Sequence, residues 1–136
     1  MKFSRAHFWN ALKTEDLDGG HFRLIDPLMF YSAELQQTVI APRGFTTDFS
    51  SIPRGLWNVF PKTGPYDYAA VIHDAGYEGR LQDIGGKPFP VTKAQADRLF
   101  LEGMIARKVG RIRRPLMYFA VVHFGHGNFA RKQEHV

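Results

Sequence analysis

Cysteine is missing altogether from the 136 residues. Its absence excludes disulfide frameworks, thiolate nucleophiles, zinc fingers and iron–sulfur clusters, and leaves any metal to oxygen and imidazole ligands. No apolar run approaches the roughly eighteen residues that a membrane-spanning helix needs, so no transmembrane segment is expected. The opening residues, MKFSRAHFWNALKTED, lack the apolar core and small-residue cleavage site of a secretory signal, and routine secretion is not expected. Internal repeats and low-complexity tracts are also missing. Acids are scarce at one end: from Arg107 to Val136 seven Lys/Arg stand against the single acid Glu134. That stretch carries +6 of a total +5 and leaves the first 106 residues at −1. A basic end of this kind offers a contact for a polyanion such as nucleic acid or phospholipid headgroups, for an acidic partner protein, or simply a solvated surface.

What is present is globular. Hydrophobic residues make up 44% and charged residues 23%, too apolar for disorder, and a chain of this length fits one domain over 1–136. Up to about Phe60 the apolar residues come in short runs cut by Gly and Pro, HFRLIDPLMFYSA and then QQTVIAPRGFTTDF, rich in β-branched and aromatic residues. They read as short strands of a small antiparallel sheet. From Tyr66 the spacing becomes helical. Ala69, Ala70, Ile72, His73 and Tyr77 suit a helix opened by Pro65 and closed by Gly79. Thr92-Lys93-Ala94-Gln95 matches a capping box, and Ala96, Leu99, Phe100, Gly103 and Met104 follow it at helical spacing. Pro115 to about His126 reads as a third helix, apolar almost all round and therefore expected to be buried. Strands followed by three helices predict an α+β domain.

The chemistry-bearing residues lie where these parts join. His73 and Asp74 sit inside the first helix and Asp97 on the second. Helices joined by the Gly/Pro-rich loop from Gly79 to Pro90 pack against each other, which brings Asp97 toward His73. Asp is disfavoured in helix interiors, and Asp97 lies beside the apolar Ala96, so it needs a partner. A His held by a carboxylate is fixed in one tautomer with raised basicity, as a general base requires. Asp74 points roughly 100° away around the helix, and its carboxylate is of the type that binds a hard cation.

The ordered set TTDFSSIPR, then PYDYAAVIHDAGY, then QADRLF before a final aromatic helix resembles domain-of-unknown-function family 1353, a small group of phage and prophage proteins, over about residues 20–128. The resemblance implies a viral context, in a virion or the host cytoplasm. The segment AAVIHDAGY with an Asp on the next helix is also similar, more loosely, to the phospholipase A2 pattern, including its cysteine-free versions in viral capsid proteins. That similarity implies His73 as the activator of water, Asp97 as its orienter, Tyr77 in support, and Asp74 as a calcium ligand. Those enzymes complete the calcium shell from a Gly-rich loop, whereas the nearest candidate here, Lys62-Thr63-Gly64-Pro65, has a single Gly. Asp48 stands as a second acidic ligand for calcium, magnesium or manganese.

Each of these residues also has a purely structural reading. His73 and Asp97 make sense as a satisfied pair locking two helices. Asp48 and Ser50 suit a helix cap or Asx-turn before Ile52-Pro53, and no G-x-S-x-G elbow supports a Ser50–His73–Asp97 triad. His123 and His126 suit either a shared metal or the capping of helix-end carbonyls, while Trp9 and Trp57 are expected in the core. Two functions therefore stand side by side. One is a hydrolase acting on a host-envelope ester or amide. The other is a non-catalytic tail or capsid component, or an assembly protein, contacting other virion proteins.

Overall fold

The computed structural model describes residues 5–47 and 66–124. The predicted strands and helices form the expected α+β architecture, with two small sheets where one was expected. β1 (His7–Phe8), β4 (Leu28–Ser32) and β5 (Gln37–Ala41) make one antiparallel sheet in the order β1-β4-β5. β2 (Thr14–Leu17), β3 (His21–Leu24) and β6 (Thr46–Thr47) make the other, in the order β2-β3-β6. The break falls at Ile25-Asp26-Pro27. Proline cannot donate to a ladder and constrains the residue before it, so the chain leaves one sheet and enters the next.

On β4 and β5 the side chains alternate, with Leu28, Phe30, Val39 and Ala41 turned into the core. Glu102 of the second helix pins the β4–β5 hairpin from across the chain. Its carboxylate accepts from Ser32 Oγ at 2.5 Å and from the amides of Ala33 and Glu34 at 3.0 and 3.2 Å.

The helices are α1 (Asp67–Tyr77), α2 (Lys93–Ala106) and α3 (Arg113–Phe124). α1 ends where the sequence predicts. Gly79 takes φ +68, Gly79 N–H bonds Gly76 O, and Arg80 N–H bonds Ala75 O, a Schellman closure. α2 begins with the predicted capping box, Thr92 Oγ1 accepting from Gln95 N and Gln95 Oε1 from Thr92 N. The intervening loop is tied down, because Gln82 exchanges two backbone hydrogen bonds of 2.9 Å with Ile40 on the edge of β5.

α1 is buried from Ala69 through Tyr77 and packs chiefly on α2. Small residues set how closely the two helices approach. A Cβ built on Gly103 would stand 2.8 Å from Ala69 Cβ, and one on Gly76 would stand 3.2 Å from Ala96 Cβ. The two contacts run antiparallel, and between them His73 faces Asp97 and Phe100.

Three expectations are corrected. α3 is buried on one side only: Met117, Ala120 and Val121 face the core, while Leu116 and Phe119 are 52% and 57% exposed. An apolar circumference does not bury a helix that has protein on one side. α3 also starts at Arg113, so Pro115 falls within the first turn, where amides have no helical acceptor to lose. Trp9 is 46% exposed. β1 is an edge strand, and the Trp9 indole N–H donates to Thr38 Oγ1 at 3.0 Å beside a surface cavity of about 530 Å³ lined also by Tyr31, Gln37 and Ile84. Trp57, His126, the expected helix opener Pro65 and the expected end of the third helix near His126 lie outside the described residues.

Candidate functional site

The site is built on facing turns of α1 and α2. His73, Asp74 and Tyr77 come from α1, Lys93 and Asp97 from α2, and Thr47 from β6. His73 Nε2 lies 2.8 Å from Asp97 Oδ1, and Tyr77 Oη donates to the same oxygen at 2.7 Å. Lys93, one turn before Asp97, donates to Oδ2 at 2.6 Å. The carboxylate thus gathers three donors, and the predicted partner for Asp97 is joined by two more. The His73 ring lies against Tyr77 and Phe100, with centroids 4.1 and 5.0 Å away. His73, Asp74 and Tyr77 have no exposed surface, and Asp97 almost none.

Burial by itself pushes the Asp97 carboxyl up, but the hydrogen bonds from His73, Lys93 and Tyr77 outweigh it and hold the group below the ordinary carboxylate range. The same burial, followed by the bond to Asp97 and the charges of Asp97 and Asp74, drives the Tyr77 phenol far above its usual value, so it stays a donor. With Asp97 ionised, the proton on the 2.8 Å contact belongs to His73 Nε2. In the neutral ring Nδ1 then carries the lone pair. That nitrogen is buried and has no hydrogen-bond partner among the described residues, the nearest carboxylate oxygen being Asp74 Oδ1 at 4.0 Å.

Asp74 is held from the sheet side: Thr47 Oγ1 donates to its Oδ2. No group of three or more His, Asp and Glu able to hold a metal occurs among the described residues. A hard cation wants six to eight oxygens, so Asp74 and the Thr47 hydroxyl do not make a shell by themselves. Asp48, the other expected ligand, lies outside the described residues, as do Ser50 and the 62–65 loop. His123 is exposed, its ring 4.1 Å from that of Phe119.

Lys93 and Thr47 were not anticipated. Lys93 carried a legible signal, an i,i+4 spacing to Asp97 that brings the two onto one helix face. It also donates to the carbonyls of Val122 at 3.0 Å and Val121 at 3.4 Å, tying the start of α2 to the last turns of α3. Thr47 carried none beyond its place two residues after Phe45 in a strand, since its contact with Asp74 joins two different layers.

Comparison with known proteins gives one match. The model of a family described as "Protein of unknown function (DUF1353)" covers residues 22–121. No curated protein and no solved structure matches the chain. None of the described helices is long and apolar enough to cross a membrane.

Proposed function

The chain belongs to the DUF1353 family, whose description carries no activity, and from its geometry we propose that His73 and Asp97 form a hydrolytic centre for an ester or amide of a host-cell envelope. The observation that carries this reading is the asymmetry of the His73 ring. Nε2 is held by the Asp97 carboxylate, while Nδ1, which bears the lone pair when the ring is neutral, is buried with no partner among the described residues. A buried polar atom without a partner calls for a reason, and a brace between helices has no use for a spare ring nitrogen. In the proposed step Nδ1 takes a proton from water as the water oxygen bonds to the substrate carbonyl carbon. The tetrahedral adduct then breaks its C–O or C–N bond, and Nδ1–H returns the proton to the leaving oxygen or nitrogen. Asp97 stays ionised and supports the imidazolium. Tyr77 and Lys93 act through Asp97 and are positioning residues.

A phage or prophage setting belongs to the same proposal, as does Asp74 as a ligand for a divalent cation. The motif resemblance supports both. The total burial of His73 and Tyr77 favours a second reading, in which the same cluster braces α1 on α2 in a non-catalytic virion or assembly protein.

One pair of measurements separates them. Under the hydrolase reading, His73→Asn loses hydrolysis of a phospholipid or peptidoglycan substrate by about 10²–10⁴-fold and melts within a few degrees of the wild type. A wild type that hydrolyses neither substrate, together with a His73→Asn protein that is strongly destabilised, makes the cluster a brace.

A further inference from the structure

The exposed side of α3 has no task in the centre around His73. Ile112, Leu116 and Phe119 are 78%, 52% and 57% exposed. Leu116, Phe119 and His123, at i, i+3 and i+7, fall within about 60° of one another around the helix axis, and Ile112 immediately precedes the helix. The buried residues Met117, Ala120 and Val121 occupy the opposite side, against the protein. α3 is therefore apolar on two faces, one turned to the core and one to solvent. Its flanks are cationic: Lys108, Arg111 and Arg113 are exposed and Arg114 half-buried. No Asp or Glu occurs anywhere from Arg107 to Phe124.

An outward apolar stripe in a stretch whose charged residues, from Arg107 to Phe124, are all cations selects its partner. Duplex DNA would satisfy the arginines but offers no apolar phase for Ile112 and Leu116. A second copy docking stripe to stripe would bring two like-charged rims together. An anionic bilayer satisfies both features, since acyl chains take the stripe and headgroup phosphates take Lys108, Arg111 and Arg113. We propose that the outer face of α3 is a docking surface for an anionic phospholipid membrane, with the helix lying in the interfacial plane. The docking stands on α3 alone and does not rest on the chemistry of His73.

Vesicle flotation tests it, with phosphatidylcholine vesicles prepared with and without phosphatidylglycerol. The wild type is expected to float with the anionic vesicles and not with the neutral ones, and to lose binding as salt is raised. Leu116→Ser/Phe119→Ser, which removes apolar surface and no charge, should weaken binding at least about tenfold. Arg111→Gln and Arg113→Gln should each cost about fivefold at low salt. These side chains lie outside the core, so unchanged melting temperatures certify the fold. His73→Asn should bind vesicles as the wild type does, so that failure of docking and failure of hydrolysis are read separately. The proposal is overturned by no binding to anionic vesicles at low salt, by equal binding by the Ser double variant, or by self-association in sedimentation that the Ser double variant abolishes. Duplex DNA bound more tightly than vesicles, with loss only in the arginine variants, likewise overturns it in favour of nucleic acid.

Discussion

Gly103 on α2 lies so close to Ala69 on α1 that a Cβ at position 103 would meet Ala69 Cβ at 2.8 Å and its Cα at 3.0 Å. This contact sets the spacing at which His73 and Asp97 meet two turns and less along the same seam. Gly103→Ala should therefore destabilise the protein, although alanine is the better helix former by about 1 kcal/mol. Overpacking against backbone costs about 1–3 kcal/mol, so a fall of several degrees in melting temperature is expected. A Tm at or above wild type would show that the helices separate freely.

Tyr66 and Tyr77 are both fully buried, but only Tyr77 has a partner for its hydroxyl among the described residues. Opposite signs follow for the same substitution. Tyr66→Phe removes a buried hydroxyl with no hydrogen-bond partner among the described residues and should leave stability unchanged or raised, whereas Tyr77→Phe deprives Asp97 of a donor and should cost about 1 kcal/mol. Burial, then the neighbouring charge of Asp67, offset in part by Arg113, pushes the Tyr66 phenol up to about 12. A raised folded-state value means that stability is held below about pH 10 and lost as the pH climbs toward 12. Alkaline titration by phenolate absorbance should show two of the five tyrosines ionising only with unfolding.

Asp97 titrates in the other direction. Its folded-state value is depressed, so its contribution to stability is full above the unfolded value near 3.9 and is lost as the pH falls through the folded value. Lys93→Met removes one of the bonds that lower it, and the acid-unfolding midpoint should move to higher pH. Asp97→Asn should melt lower than wild type at pH 7, by about 1–3 kcal/mol for each donor left unpaired, and the gap should narrow below pH 4. Denaturant titrations across pH 2–7 check this, and a gap independent of pH would contradict it.

Lys93 also holds the Val121 and Val122 carbonyls, so Lys93→Met should speed amide exchange in the last turns of α3 while leaving the β4–β5 hairpin protected. Glu102→Ala should do the reverse. With its carboxylate gone, the amides of Ala33 and Glu34 and the Ser32 hydroxyl lose their acceptor, at about 1–3 kcal/mol. Residue-resolved hydrogen exchange distinguishes the two variants. Uniform loss of protection in both would mean that the tethers are not local.

Local interactions were readable directly from the chain. The capping box at Thr92 and Gln95 and the stop at Gly79 each lie within a few residues, so side-chain chemistry and a left-handed turn suffice to place them. The α+β class followed from the change of hydrophobic period near Tyr66. The tie between His73 and Asp97 was legible because an acid on the apolar side of a helix needs a partner and the neighbouring helix offered one. Tertiary structure alone decided the rest. Periodicity marks α3 as apolar all round, but only packing determines which side meets protein. It likewise decides that Trp9, just past an edge strand, stays exposed, that Pro27 divides the strands into two sheets, and that Glu102 reaches back to a hairpin about 70 residues earlier. Which nitrogen of His73 stays unpaired is also settled by what surrounds the ring. Contacts within a turn of helix are encoded by neighbours in the sequence, whereas burial and partnership across layers depend on residues that only the folded chain brings together.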